Sequence, residues 1–592
     1  MMNENGGEKG RDATVRLFVR ALVGLALSVV SACRTRPEMA DEKPAAAGSR
    51  GEVEFSVQHW QFSDSSDDVT VEVLIRNGTC EMVRYVRVDL DGTPLPETAA
   101  EASRALRSFA IDGLGPSARR RLASPQSVAG ARWWRQDPPG AVNPGGFAVF
   151  QLNFSGKPRA CELGFATADG SRRAVRIPRA SPPSRRIEHL AFSSDGRCLS
   201  LRHSPGEPPR ALLVNGKGVA FRALEPASPS RSGAVVADLP EPVEEGECVL
   251  VEAEFPDGSR RFAFTRVLRG VCTVAPRDAE ADDAPLPDDV RTSYGFDADM
   301  RVWRIPCDVV CEDARAHEHG ASAWDALAKC AAKRKSAPKE LCGADFCTAL
   351  YPSAWNIYAP IGDVAVVKPY KLHWGKSLSR FVDEEDAFLG DVVTRVAPRP
   401  VMWVPERFRS LRELDGAEFS VLAWCAVLRG VRGIRVHHWL NDPLAPFDGN
   451  PGLAEAVKGF NADFNRLRHR LERLIPAGAS EDRAARVAVL EGWCGDDGVL
   501  LLVRNLRYDT GIDHGTKRRV RPFSVETVAS HTLSYRLPKW LEPDAATDAL
   551  TGERLECETA DGVCRVTVPQ LGAYRLVWIG NARKRKGKEV KQ

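Results

Sequence analysis

The residues best placed to do chemistry are carboxylates at the ends of short apolar runs between residues 291 and 442. Asp297 and Asp299 end or follow TSYGFD, Glu312 and Asp313 close CDVVCED, Glu406 closes PVMWVPE, and Asp442 stands just past GIRVHHW. Two carboxyl groups facing one glycosidic bond are the equipment of glycoside hydrolysis, with a separation of about 5 Å for retention and roughly 6.5–9.5 Å for inversion. Glu406, Asp313 and Asp299 are the candidate catalytic residues. Pro405 and Arg407 flank Glu406 and set it at a strand mouth. A neighbouring arginine lowers a carboxyl pKa, which suits a nucleophile or a structural ion pair better than an acid. The competing reading for each acid is a solvated loop residue or a helix cap. Glu418 falls near a helix start, where dipole and capping account for it without function.

Tryptophan is concentrated in the same region. Seven of the 13 lie between Trp303 and Trp439. A flat indole stacks on the apolar face of a sugar ring and offers an N–H as a polar handle. Trp374, Trp403 and Trp439 fall at or near strand mouths and are the candidate sugar platforms, whereas Trp324 and Trp424 fall on helices and read as packing residues. His437 and His438 end an apolar run, and alternation sends one inward and one outward. His438 is the candidate hydroxyl ligand, with a satisfied core histidine as the equal alternative.

The elements that must position these residues change along the chain. Residues 52–180 and 186–270 carry short β-branched and aromatic runs between Gly, Asp and Pro turns, the pattern of two β-sandwiches. Residues 273–290 are acidic and Pro-rich and read as a linker. From 291 to 480 short apolar strands alternate with helical stretches, including Leu378–Val396, Gly416–Gly430 and Leu453–Leu474. That alternation predicts a parallel sheet, and six strands in this length predict a small or degenerate (β/α)8 barrel, since the full fold takes about 250 residues. Residues 486–580 return to alternating strands and predict a C-terminal antiparallel sandwich, followed by a basic tail at 581–592. The fold class expected is multidomain α/β plus all-β.

The chain begins with a leader pattern. Arg16 and Arg20 precede the apolar run Ala21 to Val30, and Ser31-Ala32-Cys33 follow. A positive n-region, an apolar h-region and small residues at the cut describe a secretory signal. Val30-Ser31-Ala32-Cys33 resembles the bacterial lipobox. That resemblance implies lipid attachment at Cys33, with a diacylglyceryl group on sulfur and a further acyl chain on the freed amine. Arg34 in place of aspartate points to the outer membrane, and residues 34–51 read as a flexible tether. The predicted location is the cell envelope. The net charge of +3, with both signs spread throughout, gives no electrostatic case for nucleic acid.

No cofactor is expected: Walker, GxGxxG, HExxH and GxSxG patterns are missing from the positions where they would carry chemistry. Fourteen of the 15 cysteines follow Cys33, and in an oxidising compartment some can pair. Cys557 and Cys564 flank a turn-like Thr-Ala-Asp-Gly and are the best local pair. Cys307, Cys311, Cys342 and Cys347 lack the close CxxC spacing of a zinc site, so no metal is assigned.

The segment from about 346 to 580 resembles the second half of multidomain bacterial glycoside-hydrolase-like proteins. Asp363 to Tyr370 (DVAVVKPY) looks like a late barrel strand ending in a Pro-Tyr turn beside the sugar site, which makes Tyr370 a candidate ligand. Pro400 to Glu406 looks like the next strand, and Glu418 through Trp439 like a helix and strand of the same architecture. Asp548 to Glu553, Val566 to Pro569 and Ala573-Tyr574 resemble the closing sandwich. The resemblance implies carbohydrate as the partner. One departure limits it: the Asn-Glu acid/base of the common retaining clan is missing from the predicted barrel. Two readings follow, a glycoside hydrolase with a carboxylate pair at the barrel mouth and a non-catalytic surface protein that binds glycans or partners through a degenerate barrel.

Overall fold

A computed structural model describes residues 52–61, 69–95, 131–154, 160–179, 185–270, 274–275, 302–305, 327–346 (except 329, 333 and 335), 359–369, 378–405, 414–435, 451–513, 518–519 and 521–583. Antiparallel sheets dominate it.

The first module stacks two four-stranded antiparallel sheets. One contains Val53–Gln61, Val69–Asn77, Phe147–Phe154 and Ala131–Asp137, and the other Thr93–Pro94, Tyr85–Leu90, Cys161–Thr167 and Arg172–Ile177. Alternation explains the layering. Val71, Val73 and Ile75 pair beside Leu152, Phe150 and Ala148, and most of these meet Val88, Leu90, Leu163 and Phe165 of the facing sheet. The alternate residues Leu74 and Val149 are also buried, because they pack on Leu250, Phe262 and Phe264 of the next module. That module is a second pair of four-stranded sheets between Ile187 and Arg266.

A parallel sheet follows. Its strands are β1 (Val274–Ala275), β2 (Val302–Ile305), β3 (Leu341–Phe346), β4 (Val364–Val367), β5 (Val401–Trp403) and β6 (Gly433–Arg435). Strands β2 to β6 lie side by side in chain order, and β6 also pairs with β1 through Val274↔Ile434 and Ala275↔Arg435. Two expectations change here. The linker expected at 273–290 gives up Val274 and Ala275 to the sheet, because this pair of small and β-branched residues completes the free edge of β6. The (β/α)8 barrel is not shown: the sheet has six strands, and among the described residues no ladder joins β1 to β2.

Helices α1 (Phe381–Val396), α2 (Gly416–Arg429) and α3 (Pro451–Leu471) pack on one face, as does the helical segment ahead of β3 that carries Cys330. Helix α2 is buried nearly all round, since it lies between the sheet and the C-terminal module. Asp415 and Glu418 form a reciprocal capping box at its start, as the capping reading of Glu418 requires. Gly430 ends it in the left-handed region at φ 93°, and an added Cβ would sit 2.5 Å from Pro476 Cγ. Gly430→Ala is therefore expected to cost at least about 1–2 kcal/mol, read as a lower urea midpoint.

Helix α3 stops at Leu471, three residues short of the amphipathic pattern, because Leu474 and Ile475 pair with Cys494 and Trp493. The C-terminal module thus begins at Leu474. Its five-stranded antiparallel sheet (Leu474–Asp482, Val487–Cys494, Gly498–Asn505, Tyr574–Asn581, Pro543–Asp548) faces a three-stranded one (Val528–Arg536, Val563–Leu571, Cys557–Ala560). Trp493, Leu501, Val566 and Val568 are among the residues that fill the layer between them.

A buried charge cluster joins the first two modules to the parallel sheet. Asp137 ends a strand of the first sandwich and is fully buried. It accepts a 2.8 Å hydrogen bond from Arg266 of the second sandwich, with Arg334 at 3.5 Å and Arg135 at 3.9 Å. Asp363, at the amino end of β4, takes the same Arg334 and accepts a 2.8 Å bond from the Cys342 N–H. The Arg135 guanidinium also donates 2.6 Å to the Ile361 carbonyl. The cluster lies at the amino ends of the parallel strands, the end of an α/β sheet that serves stability.

Candidate functional site

In α/β sheets ligands gather at the carboxyl ends of the strands. Which side chains reach that end depends on the two faces of the sheet. Leu341, Val364, Val366, Met402 and Val404 form one apolar cluster with Leu268. Their alternates Cys342, Ala365, Val367, Val401, Trp403 and Ile434 belong to the cluster that packs on α1, α2 and α3. The first face packs on Leu268 of the second module, and the second faces the helices.

Two cations continue the first face at the carboxyl end. Lys368 follows Val364 and Val366 at the same period, just past β4. Arg435 alternates with helix-facing Ile434 at the end of β6. They are 5 % and 8 % exposed, so both charges are held largely away from water. A buried ammonium or guanidinium is costly unless it meets acceptors. Strand β5 lies between the two strands, which puts their axes about 10 Å apart, the width of a sugar-sized ligand. Pattern reading overlooked both residues. Their signal was a lone cation closing an otherwise apolar run, VAVVK and GIR.

Trp403 requires a correction. Its assignment as a sugar platform rested on its place at a strand mouth, but its parity turns it to the helix side. It is fully buried in the helix-packed core, and its indole N–H donates to Glu385 Oε1 of α1 at 2.8 Å. It ties β5 to α1 and presents no face to a ligand. Trp403→Phe is expected to keep the packing, remove that donor from a buried carboxylate and cost about 1–3 kcal/mol, with glycan binding unchanged. Thermal unfolding alongside a binding titration reads both. Trp424 packs edge-on against Phe460 of α3, in agreement with its helical reading.

Glu406, Asp313, Asp299, Tyr370, Trp374, His438 and Trp439 lie outside the described residues, as do Asp297, Glu312, Asp442, His437 and the lipid-attachment candidate Cys33. The described part of the rim is Lys368, Pro369, Val404, Pro405 and Arg435. Among the described residues no three His, Cys, Asp or Glu side chains gather as a metal site. Cys342 touches Cys330.

No family model matches the chain, and no curated protein matches it. Solved structures do match over part of it. The α-fucosidase of Thermotoga maritima aligns at 9 % identity over 44 % of this chain and 50 % of its own, with a TM-score of 0.26. An α-L-fucosidase of Bacteroides thetaiotaomicron aligns at 12 % identity over 44 % and 51 %, with a TM-score of 0.25. A maltogenic α-amylase of Thermotoga neapolitana aligns at 10 % identity over 42 % and 58 %, with a TM-score of 0.27. The chain thus spans about half the length of the structures it matches.

Proposed function

We propose that this protein is an envelope-anchored, glycoside-hydrolase-like protein that acts on poly- or oligosaccharide. In this reading lipid on Cys33 holds the chain at the outer membrane, and residues 34–51 act as the tether. Glu406 works with Asp313 or Asp299 as the carboxylate pair, and Tyr370, Trp374, His438 and Trp439 line the sugar. The observation that carries the proposal is the parallel sheet with strands in chain order, its last strand returning to its first. That arrangement brings the carboxyl ends of the six parallel strands to one edge of the sheet, where Lys368 and Arg435 lie. Loops from several strands converging on one rim is the arrangement that hosts carboxylate pairs in barrel glycosidases.

A second reading, a glycan-binding protein without turnover, is favoured by the rim itself: its described charged residues are cations. The purified chain, assayed on a panel of neutral and acidic glycans for both binding and hydrolysis, separates the two. Reducing-end release supports the hydrolase. Binding without release supports the second reading. A chain that neither binds nor cleaves any glycan sinks both.

A further inference from the structure

Cys330 and Arg334 are four residues apart in the helical segment ahead of β3, which puts them on one helix face. Arg334 is ion-paired to Asp363 at the foot of β4. Asp363 in turn grips the first turn of β3: its carboxylate accepts the Cys342 N–H at 2.8 Å, and its own N–H donates to the Cys342 carbonyl at 2.7 Å. One salt bridge and two hydrogen bonds therefore lay the Cys330 face of the helix directly on Cys342. The two cysteines lie together in the buried core on the helix side of the sheet and are 1 % and 0 % exposed. Both are free thiols here. Hydrogen bonding from Cys330 pulls the Cys342 thiol below its ordinary value, against the opposing effect of burial.

We propose that Cys330 and Cys342 are a disulfide-forming pair that staples this helix to the parallel sheet beside the Asp137–Asp363 charge cluster. One of the two cysteines gives up its proton and attacks a small-molecule or protein disulfide, forming a mixed disulfide and displacing one thiolate, which takes up a proton. The other cysteine, giving up its proton, then attacks the mixed disulfide and displaces the second thiolate. One S–S bond forms in the protein, one is broken in the oxidant, and the two protein thiol protons end on the two released thiols. Burial of both sulfurs places the reaction during folding, before the core closes. In the cell the pairing depends on the export reading, which supplies the oxidising compartment; its chemistry does not.

The test uses the full chain in two arms. In the first it is expressed with its own leader and collected from the envelope with an alkylating agent present. In the second it is purified reduced and equilibrated with oxidised and reduced glutathione in mild urea. Denaturing, non-reducing peptide mapping is expected to join the tryptic peptide of Cys330 to that of Cys342. Fragmentation must place the bond on Cys342 and not on Cys347, which shares its peptide. Cys425 and Cys494, buried thiols of the same core, should remain alkylated throughout. Cys330→Ser should leave Cys342 fully alkylated. Reduction of the linked chain should lower Tm by on the order of 5 °C, a fall missing from Cys330→Ser. A link in the glutathione arm alone keeps the pair and rejects export. Free Cys330 and Cys342 in both arms, or Cys342 bonded to another cysteine, overturns the proposal.

Discussion

Asp137→Ala is expected to destabilise the protein by about 3–5 kcal/mol, the range for removing one partner of a buried ion pair. The reason is the imbalance it leaves. Asp137 is buried among Arg135, Arg266 and Arg334. Without it, three guanidinium groups from the first sandwich, the second sandwich and the helix before β3 share Asp363 as their remaining nearby anion. An uncompensated buried charge costs more than the lost pair returns. Because those arginines belong to three modules, the loss should fall on the seam between them. Urea unfolding followed by tryptophan fluorescence would read it, and susceptibility to proteolysis between modules should rise in parallel. An unchanged midpoint would mean that the arginines find other partners.

The same residue sets an acid limit. Burial alone would raise the Asp137 pKa, but Arg334, Arg135 and Arg266 outweigh it and hold the carboxyl below its ordinary value. A group whose folded pKa is depressed contributes its stability above the unfolded pKa, near about 4, and loses it as pH falls through the folded value. The native chain should therefore lose stability steeply below about pH 4, and Asp137→Ala, already without that contribution, should show a shallower acid slope.

Glu406→Gln is expected to reduce hydrolysis at least about 100-fold, the lower end for loss of a positioned acid or base, and further if Glu406 is the nucleophile. Glutamine keeps the shape and removes the charge, so folding should be preserved and the loss should fall on kcat. Asp313→Asn and Asp299→Asn identify the partner: whichever reproduces the collapse in kcat with an unaltered circular dichroism spectrum is the second carboxylate. Binding of the glycan should survive in all three, because the proposed aromatic ligands remain. Full activity in all three variants would remove the pair from the proposal. A wild-type chain that binds without turnover would make the carboxylates irrelevant and leave the rim as a lectin-like surface.

Much of the fold is legible because it rests on local periodicity. The runs that form Val69–Asn77, Phe147–Phe154 and Gly498–Asn505 are rich in β-branched, aromatic or aliphatic residues and bounded by turn residues, and nothing tertiary contradicts them. Helix α2 announces itself at both ends through Asp415, Glu418 and Gly430. Strand β1 was not legible: two residues before a proline carry no period, and only the free edge of β6 makes them a strand. The stop of α3 at Leu471 was hidden for a similar reason, since the amphipathic stripe continues into residues that the next sheet claims. Trp403 was misplaced because strand position alone does not say which face of a sheet a side chain takes; one residue of parity separates a ligand platform from a core anchor. Lys368 and Arg435 went unnoticed because each looks like a solvated strand end until the sheet buries it.

The sequence by itself determined what depends on neighbours along the chain: the alternation of the sandwiches, the change to an α/β pattern after the second of them, and the cap residues of α2. Tertiary structure decided what depends on residues far apart. It returned β6 to β1, turned Trp403 toward Glu385, and brought Asp137, Arg266, Arg334 and Asp363 from four distant segments into one buried cluster. Periodicity fixes which face of an element is apolar, but not what that face will meet. Burial, and with it the cost of an unpaired charge, exists only once the modules pack.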